Sequence, residues 1–399
     1  MASPKFGVTD LRSQLDLLLA EGTAAAIERE RNTFNQLAGA ATKPIVLFGA
    51  RKLGQKTLAG LRSVGVEPLC FSDNNAALWD TSIDGVKVLS PEEAARRFGA
   101  DAVFVTCIWG RGSSDSMAER QKQLVNLGCQ TVAPFVPLFW KYPAAFLPHN
   151  ALDLPHYVQE QAEKIDLCFE LLSDDRSREE FVRQLTWRLT GDFDALSDPV
   201  TDEIYFPRFV ARRNSPETFV DCGAYNGDTI LRFISRNQGE YQSILAFEPD
   251  PSNFSALNQT VSALSPGQRE RIRVFPYAVG AQPERVRFTA TGTEGASVGS
   301  GEYEVDCVRL DDIVGEENPT YIKMDIESAE PDALRGARNI IKRSIPVIAA
   351  CSYHVQDHLW TIPLTMSEIF PDYAISLRQH IQLVEDLVSY AVPRDRFSL

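Results

Sequence analysis

Long apolar runs are missing from this chain, and no stretch approaches the length that spans a bilayer, so a helical membrane protein is excluded. CxxC pairs are missing as well. The seven cysteines (Cys70, Cys107, Cys129, Cys168, Cys222, Cys307 and Cys351) are scattered and odd in number, which argues against a disulfide framework and against structural zinc. Several sit in apolar runs such as AACSY, where a reduced cysteine acts as a small hydrophobe, and a reducing cytoplasmic setting is expected. Positive charge is scarce: 40 Lys and Arg face 54 Asp and Glu, for a net charge of -14. That balance disfavours broad contact with nucleic acid or an anionic membrane. A secretory leader is not expected either, because MASPKFGVTDLRSQLDLLLAEG carries acids among its leucines and no small-residue cleavage site.

What is present is ordinary globular material, 44% hydrophobic and 24% charged over 399 residues, a length that suggests two domains. Residues 1–42 contain two short helices: Leu11, Leu15 and Leu18 share one face, and Ile27, Phe34 and Leu37 continue after a break at Gly22-Thr23. They are expected to pack on the first α/β domain, with a dimer contact as the alternative. Across 43–150 short β-rich runs (PIVLFGA, EPLCFSD, DAVFVTC) alternate with helical ones such as KTLAGLRSVG, the signature of a parallel sheet with helices on both faces. Residues 151–202 are helical in period and form a connector, and a second α/β domain occupies 203–399. Strand, glycine turn, helix, strand and terminal acid thus occur twice, with Gly49 to Asp73 echoed by Gly223 to Glu248.

The strongest local signal is TFVDCGAYNGDTILRFI. A strand reaches Asp221, turns through Gly223, Ala224 and Gly227, and enters a helix capped by Asp228 or Thr229. Glycine lets a cofactor approach the backbone, and the helix start offers unpaired N–H groups to a carboxylate. The next strand, ILAFEP, ends at Glu248 and Pro249, where an acid can bond both ribose hydroxyls. Dinucleotide enzymes share this plan, but the loop is DxGxxxG, an acid opens it, and two strands close the domain as an antiparallel hairpin (YAISLRQH and EDLVSYAVP). YIKMDIESAE then places Asp325 and Glu327 at the end of a central strand, able to orient a sulfonium, act as a base or hold a divalent metal, with nothing in the pattern that requires the metal. Glu330 is expected to cap the helix after it. His354 comes directly after the strand IPVIAACSY, placed to accept a hydroxyl proton. HVQDH lacks the glutamate of HExxH, so a zinc-protease reading fails and no metal ligands are assigned. Arg378 and His380 either face an acceptor or serve the core.

Residues 203–395 resemble the FkbM family of S-adenosylmethionine-dependent methyltransferases. The resemblance runs through YFP, FVDCGAYNGDT, AFEPDPSNFSALNQ, YAVG, VRLDDI, YIKMDIESAEPDALRGA, SYH with DHLWTIP, and SLRQH. Ser328 departs from it, standing where the family usually has glycine. The resemblance implies a class I methyltransferase fold, transfer of methyl most often to a hydroxyl oxygen, and S-adenosylmethionine contacts from Asp221, Gly223, Gly227 and Glu248. It also implies that YAVG ends the third strand and sets Ala278 and Val279 beside the adenine.

In the first domain VLFGARKLGQKTL puts Arg51 and Lys52 inside a glycine turn bounded by Gly49 and Gly54, and FSD ends in Asp73. Such a loop suits the phosphate of a nucleotide or nucleotide-sugar, and it resembles the small Rossmann-like domain of sugar-modifying enzymes; a purely structural domain is the alternative. The expected architecture is therefore two Rossmann-like parallel-sheet domains joined by a helical connector, the second with a C-terminal antiparallel hairpin. The expected activity is O-methylation of a sugar, glycan or other small molecule. Two other classes stay open: a non-catalytic binding protein with this fold, and an NAD-type oxidoreductase or epimerase, disfavoured because no Tyr-xxx-Lys pair follows the GARKLG loop.

Overall fold

Alternating residues of the β-rich runs go to opposite sides, and that alternation builds the first sheet. Its strands are β1 (Ile45–Phe48), β2 (Cys70–Ser72), β3 (Ser82–Ile83), β4 (Val86–Leu89), β5 (Val103–Thr106) and β6 (Thr131–Pro134), in the order β3-β4-β2-β1-β5-β6. All neighbours are parallel except β3 with β4. Ile45, Leu47, Val103 and Val105 join one apolar cluster with Leu58 and Leu61 of the helix Lys52–Ser63 and Phe34 of the helix Gly22–Ala38. Val46, Phe48 and Phe104 join a second with Ala94 of the helix Pro91–Phe98 and Leu124 of the helix Met117–Asn126. Both faces are thus covered, as a parallel sheet requires.

The computed structural model describes residues 10–39, 43–109, 116–289, 297–298, 303–381 and 384–398. The chain forms two compact units. The first comprises Met1–Ala162, Val182–Asp198 and Gln382–Val384, the second Glu163–Phe181, Pro199–Ile381 and Glu385–Leu399. The helices expected between the two α/β regions are present as Pro155–Glu160, Ala162–Leu171 and Asp175–Thr190, and their residues are shared between the units.

The second unit holds two sheets. The larger contains β7 (Glu217–Cys222), β8 (Tyr241–Phe247), β9 (Ile272–Phe275), β14 (Tyr321–Met324), β15 (Val347–Cys351), β16 (Tyr373–Gln379) and β17 (Leu387–Pro393), in the order β16-β17-β15-β14-β7-β8-β9. Six of these strands run the same way and β17 alone is reversed, antiparallel to both β15 and β16, so the terminal hairpin closes one edge. The smaller sheet contains β10 (Ala278–Val279), β11 (Glu284–Thr289), β12 (Ser297–Val298) and β13 (Tyr303–Val308), in the order β10-β13-β11-β12. One expectation is corrected here. YAVG does not end the third strand: β9 stops at Phe275, and Ala278–Val279 pairs with β13 instead. Pro276, lacking an N–H, cannot extend the ladder of β9.

Candidate functional site

Three strand ends meet at one level, because Cys222 is in register with Phe247 on one side and with Met324 on the other. The next residues are Gly223, Glu248 and Asp325. Gly223 has φ +80°, and a Cβ added there would lie 1.9 Å from the Asp325 carbonyl oxygen, so only glycine lets the turn lie against β14's end. The turn is bonded to β8: the Gly223 and Ala224 amides both donate to the Phe247 carbonyl at 3.0 Å. Glu248 completes the latch, its Oε2 accepting from the Tyr225 amide at 2.8 Å and its Oε1 from the Asp250 amide at 2.9 Å. Burial pushes the Glu248 carboxyl up, while these two amides hold it down in part.

A cleft opens over this junction with about 70 Å³ of free space, lined by Gly223, Tyr225, Glu248, Pro249, Ala278, Val279, Asp325 and Glu327 among others. Other expected residues lie behind it. Ala224 and Thr229 are buried in the turn and helix, Gly227 is the left-handed residue that starts the helix Asp228–Arg236, and Asp228 pairs at the surface with Arg232 at 3.0 Å. Asp221 is fully buried beneath, 3.2 Å from Lys323 Nζ. Burial pushes the Asp221 carboxyl up to about 6 against the pull of Lys323. Burial also works against the Lys323 charge, but Asp221 and Asp325 outweigh it and keep the amine above the ordinary lysine range.

Asp325 is the hub of a second cluster. Its Oδ2 accepts from the Tyr205 hydroxyl at 2.8 Å, and His354 Nε2 lies 3.3 Å from Oδ1 and 3.8 Å from Glu327 Oε2. The other ring nitrogen, His354 Nδ1, lies 3.0 Å from Glu330 Oε1, and His358 Nδ1 lies 3.4 Å from Glu330 Oε2. Glu330, expected to serve the helix Glu330–Gly336 as a cap, is that helix's first residue; its carboxylate accepts the Ile326 amide at 2.9 Å and is wholly buried against the histidines. Burial opposes the charge on His354, but Glu330 and Asp325 outweigh it and hold the imidazole well above its usual range. Burial would likewise raise Asp325, and His354, Lys323 and Tyr205 together hold it far below the usual carboxylate range. His354 thus lies between two carboxylates that favour its charged form.

Glu330, His354 and His358 also bring ligand atoms within 4.8 Å of one another, the composition and spacing of a divalent-metal site. The same atoms face one another at 3.0 Å (His354 Nδ1 to Glu330 Oε1) and 3.4 Å (His358 Nδ1 to Glu330 Oε2). Arg378 and His380 have core roles: Arg378 pairs with Asp174 at 3.2 Å, and His380 Nε2 lies 2.8 Å from the Tyr390 hydroxyl. Sequence reasoning did not single out Lys323 or Tyr205. A lysine inside the apolar strand YIKM was a usable signal, because a cation there needs a buried anion. Tyr205 had none beyond its place in YFP.

In the first unit Gly49, Arg51, Lys52 and Asp73 line a cavity of their own, and Gly54 packs beneath the loop.

Residues 221–375 match the family described as Methyltransferase FkbM domain. The fold is similar to the crystal structure of methyltransferase FkbM from Methylobacillus flagellatus KT, with TM-score 0.78 and 21% identity over 96% of this chain and 100% of that one. Partial likenesses extend to precorrin-6y C5,15-methyltransferase from Geobacter metallireducens GS-15, with TM-score 0.28 and 10% identity over 46% of this chain and 82% of that one. UDP-D-quinovosamine 4-dehydrogenase from Vibrio fischeri matches with TM-score 0.18 and 19% identity over 24% of this chain and 76% of that one. At those scores neither partial match bears on function. No curated protein matches the chain in sequence. The α/β architecture with parallel-dominated sheets is thus the expected one, and residues 221–375 match the methyltransferase FkbM domain family.

Proposed function

We propose that the second unit uses S-adenosylmethionine to methylate a hydroxyl on a small molecule such as a sugar. The observation that carries this is the meeting of a glycine turn, Glu248, Asp325 and Glu327 in one cleft beside Ala278 and Val279. A carboxylate has about four acceptor positions. Glu248 spends one on each amide, which leaves it able to take the ribose hydroxyls. The adenine would lie along Ala278–Val279, and the methionine end would lie toward Gly223 with the sulfonium facing the Asp325 carboxylate. Free space of about 70 Å³ is room for only a few waters, so cofactor entry displaces lining side chains, with the aromatic Tyr225, Tyr277 and Phe288 as the candidates.

The reaction is an in-line displacement in which the acceptor oxygen bonds the methyl carbon as the carbon–sulfur bond breaks, and the hydroxyl proton must leave. S-adenosylmethionine supplies the methyl group and the leaving sulfur. The protein's share is alignment and a proton acceptor. His354 is the expected acceptor, but Glu330 and Asp325 raise its affinity for a proton against the cost of burial. In this reading Glu327, which lines the cleft, takes the proton, while His354 holds Asp325 and Glu327 in place from behind.

Calorimetric titration of the full chain with S-adenosylmethionine and S-adenosylhomocysteine, followed by an S-adenosylhomocysteine release assay over a panel of sugars, tests the reading. Binding with turnover on a hydroxylated acceptor supports it. Binding without turnover on any of them points to a non-catalytic binding protein, and no binding of either compound removes the proposal.

A further inference from the structure

The first unit contains a cavity of about 940 Å³, within the size range of small-molecule sites, at the ends of β1, β2 and β5. Its walls carry a surplus of positive charge. Arg51 ends the loop after β1, Lys52 opens the helix Lys52–Ser63, Lys56 lies one turn further along it, and Arg120 comes from the helix Met117–Asn126. Among the described residues the one lining carboxylate is Asp73, and both its oxygens already accept backbone amides, from Ala50 and from Asn75, each at 2.8 Å. Among the described residues no ion pair joins an acid to Arg51, Lys52 or Lys56.

Lys56 sharpens the imbalance. It is half-buried, and burial lowers its pKa. The group beside it is His149, whose Nδ1 lies 2.9 Å from the lysine nitrogen. Burial, then Lys56 itself, pulls that imidazole down to about 4, so it is neutral at physiological pH and supplies no countercharge. A half-buried cation with only a neutral acceptor is costly until an anion arrives. The start of the adjoining helix points the same way. Arg51 is its N-cap and makes no side-chain cap bond, so its side chain does not satisfy the first-turn amides, the usual seat of an anion. Gly54 allows this close geometry, since a Cβ there would lie 1.9 Å from the Gly49 carbonyl oxygen.

The acid end of the cavity asks for different chemistry. Asp73 repeats Glu248's arrangement, ending the second strand and bonding the glycine loop of the first. Its unused lone pairs can accept hydroxyls, as a ribose diol provides. Leu53, Ile108 and Trp109 add an apolar wall.

We propose that the first unit binds a nucleoside diphosphate, its phosphates against Arg51, Lys52, Lys56 and Arg120 and its ribose hydroxyls on Asp73. The group can come as a free nucleotide, a nucleotide-sugar or a dinucleotide. The inference does not depend on methyl transfer in the second unit.

The test is calorimetric titration of the full chain with UDP, ADP, UDP-N-acetylglucosamine, NAD and inorganic pyrophosphate. At least one of the four nucleotides is expected to bind, at least about tenfold more tightly than pyrophosphate, and the pattern among them identifies the source. Arg51→Gln with Lys56→Gln is expected to weaken that nucleotide at least tenfold, the loss of one or two charge-assisted bonds. Circular dichroism and an unchanged melting profile establish that the double variant is folded. No binding of any nucleotide at millimolar concentration overturns the proposal, as does undiminished binding to the folded variant. Pyrophosphate binding as tightly as the best nucleotide overturns the nucleoside part.

Discussion

A cation beside a carboxylate matters most when both are out of water, and His354 with Glu330 meets that condition, whereas the Asp325 side chain is 25% exposed toward the cleft. The raised value of His354 means that its contribution to stability is complete below about 6.5 and is lost as pH rises through the folded value. Asp325 and Glu330 are depressed, so their contributions are present above their ordinary values of 3.8 and 4.5 and are lost as pH falls through the folded ones. His354→Gln should therefore cost about 3–5 kcal/mol near pH 6, where the buried Glu330 carboxylate loses its cation, and the deficit should narrow as pH climbs above neutrality. Denaturant melts at pH 6, 8 and 9 check this, and a deficit independent of pH would mean that His354 is neutral in the fold. Imidazole NMR gives a second view: His354 should keep its protonated shift from pH 5.5 to 8, whereas His149 and His380, pulled down to about 4, should stay neutral. Glu248 belongs to the same scale. Glu248→Ala should lower S-adenosylmethionine affinity about tenfold to a hundredfold by removing a charged acceptor for two hydroxyls, and equal affinity in the folded variant would withdraw the ribose assignment. Ser328 sits at φ 84°, which explains why glycine is usual at that place in the FkbM pattern. The left-handed conformation costs an L-residue about 1–2 kcal/mol, and glycine returns roughly half of that as unfolded-state entropy. Ser328→Gly should raise the melting temperature by about 1–4 °C in a thermal melt.

Elements differ in how openly the sequence announces them. β1, β2, β5, β7, β8, β14 and β15 were legible because each is a short apolar run, as in PIVLFGA and ILAFEP, whereas β3, β4, β6 and β9 were not singled out. The terminal hairpin was legible for the same reason. The small sheet was not: ERVRFT and YEVDCV are mostly exposed and charged, and pairing with only one covered face leaves a weak pattern. The departure of Ala278–Val279 from β9 turned on one residue, Pro276, whose missing N–H matters only once the neighbouring strand is known. At the site, the glycine turn and the strand-end acids could be read from local spacing. The partners of Glu330 could not, since His354 and His358 come from a later strand end and helix, and local sequence offered only the cap. The turn itself makes a prediction at this scale. Gly223→Ala forces a Cβ against the Asp325 carbonyl at a positive φ, so the turn and the end of β14 must separate. The strain should cost about 1–3 kcal/mol and weaken cofactor binding with it. Normal S-adenosylhomocysteine affinity in this variant would show that the turn does not shape the cofactor cleft.

At the scale of the whole molecule the chain repeats one device in two units with separate cores. In each, an acid at the end of the second strand takes an amide of the glycine loop after the first: Asp73 with Ala50, and Glu248 with Tyr225. The surroundings then diverge. The second unit sets Asp325 and Glu327 beside its turn, an anionic wall suited to a sulfonium, whereas the first sets Arg51, Lys52 and Lys56 beside its own, a cationic wall suited to phosphate. One repeated turn thus carries opposite charge preferences, and a cationic cofactor should discriminate between them. Hydrogen–deuterium exchange of the full chain with saturating S-adenosylmethionine should slow exchange at Gly223–Tyr225, Glu248–Asp250 and Ala278–Val279, the backbone that the cleft exposes. Ligand at about a hundred times its Kd adds roughly 2.7 kcal/mol to any opening that must release it, enough to slow those amides about a hundredfold. Exchange at Gly49–Leu53 and Asp73–Asn75 should not change. Protection appearing in the first unit's loop instead would place the cofactor there, and the assignment of the two clefts would have to be exchanged.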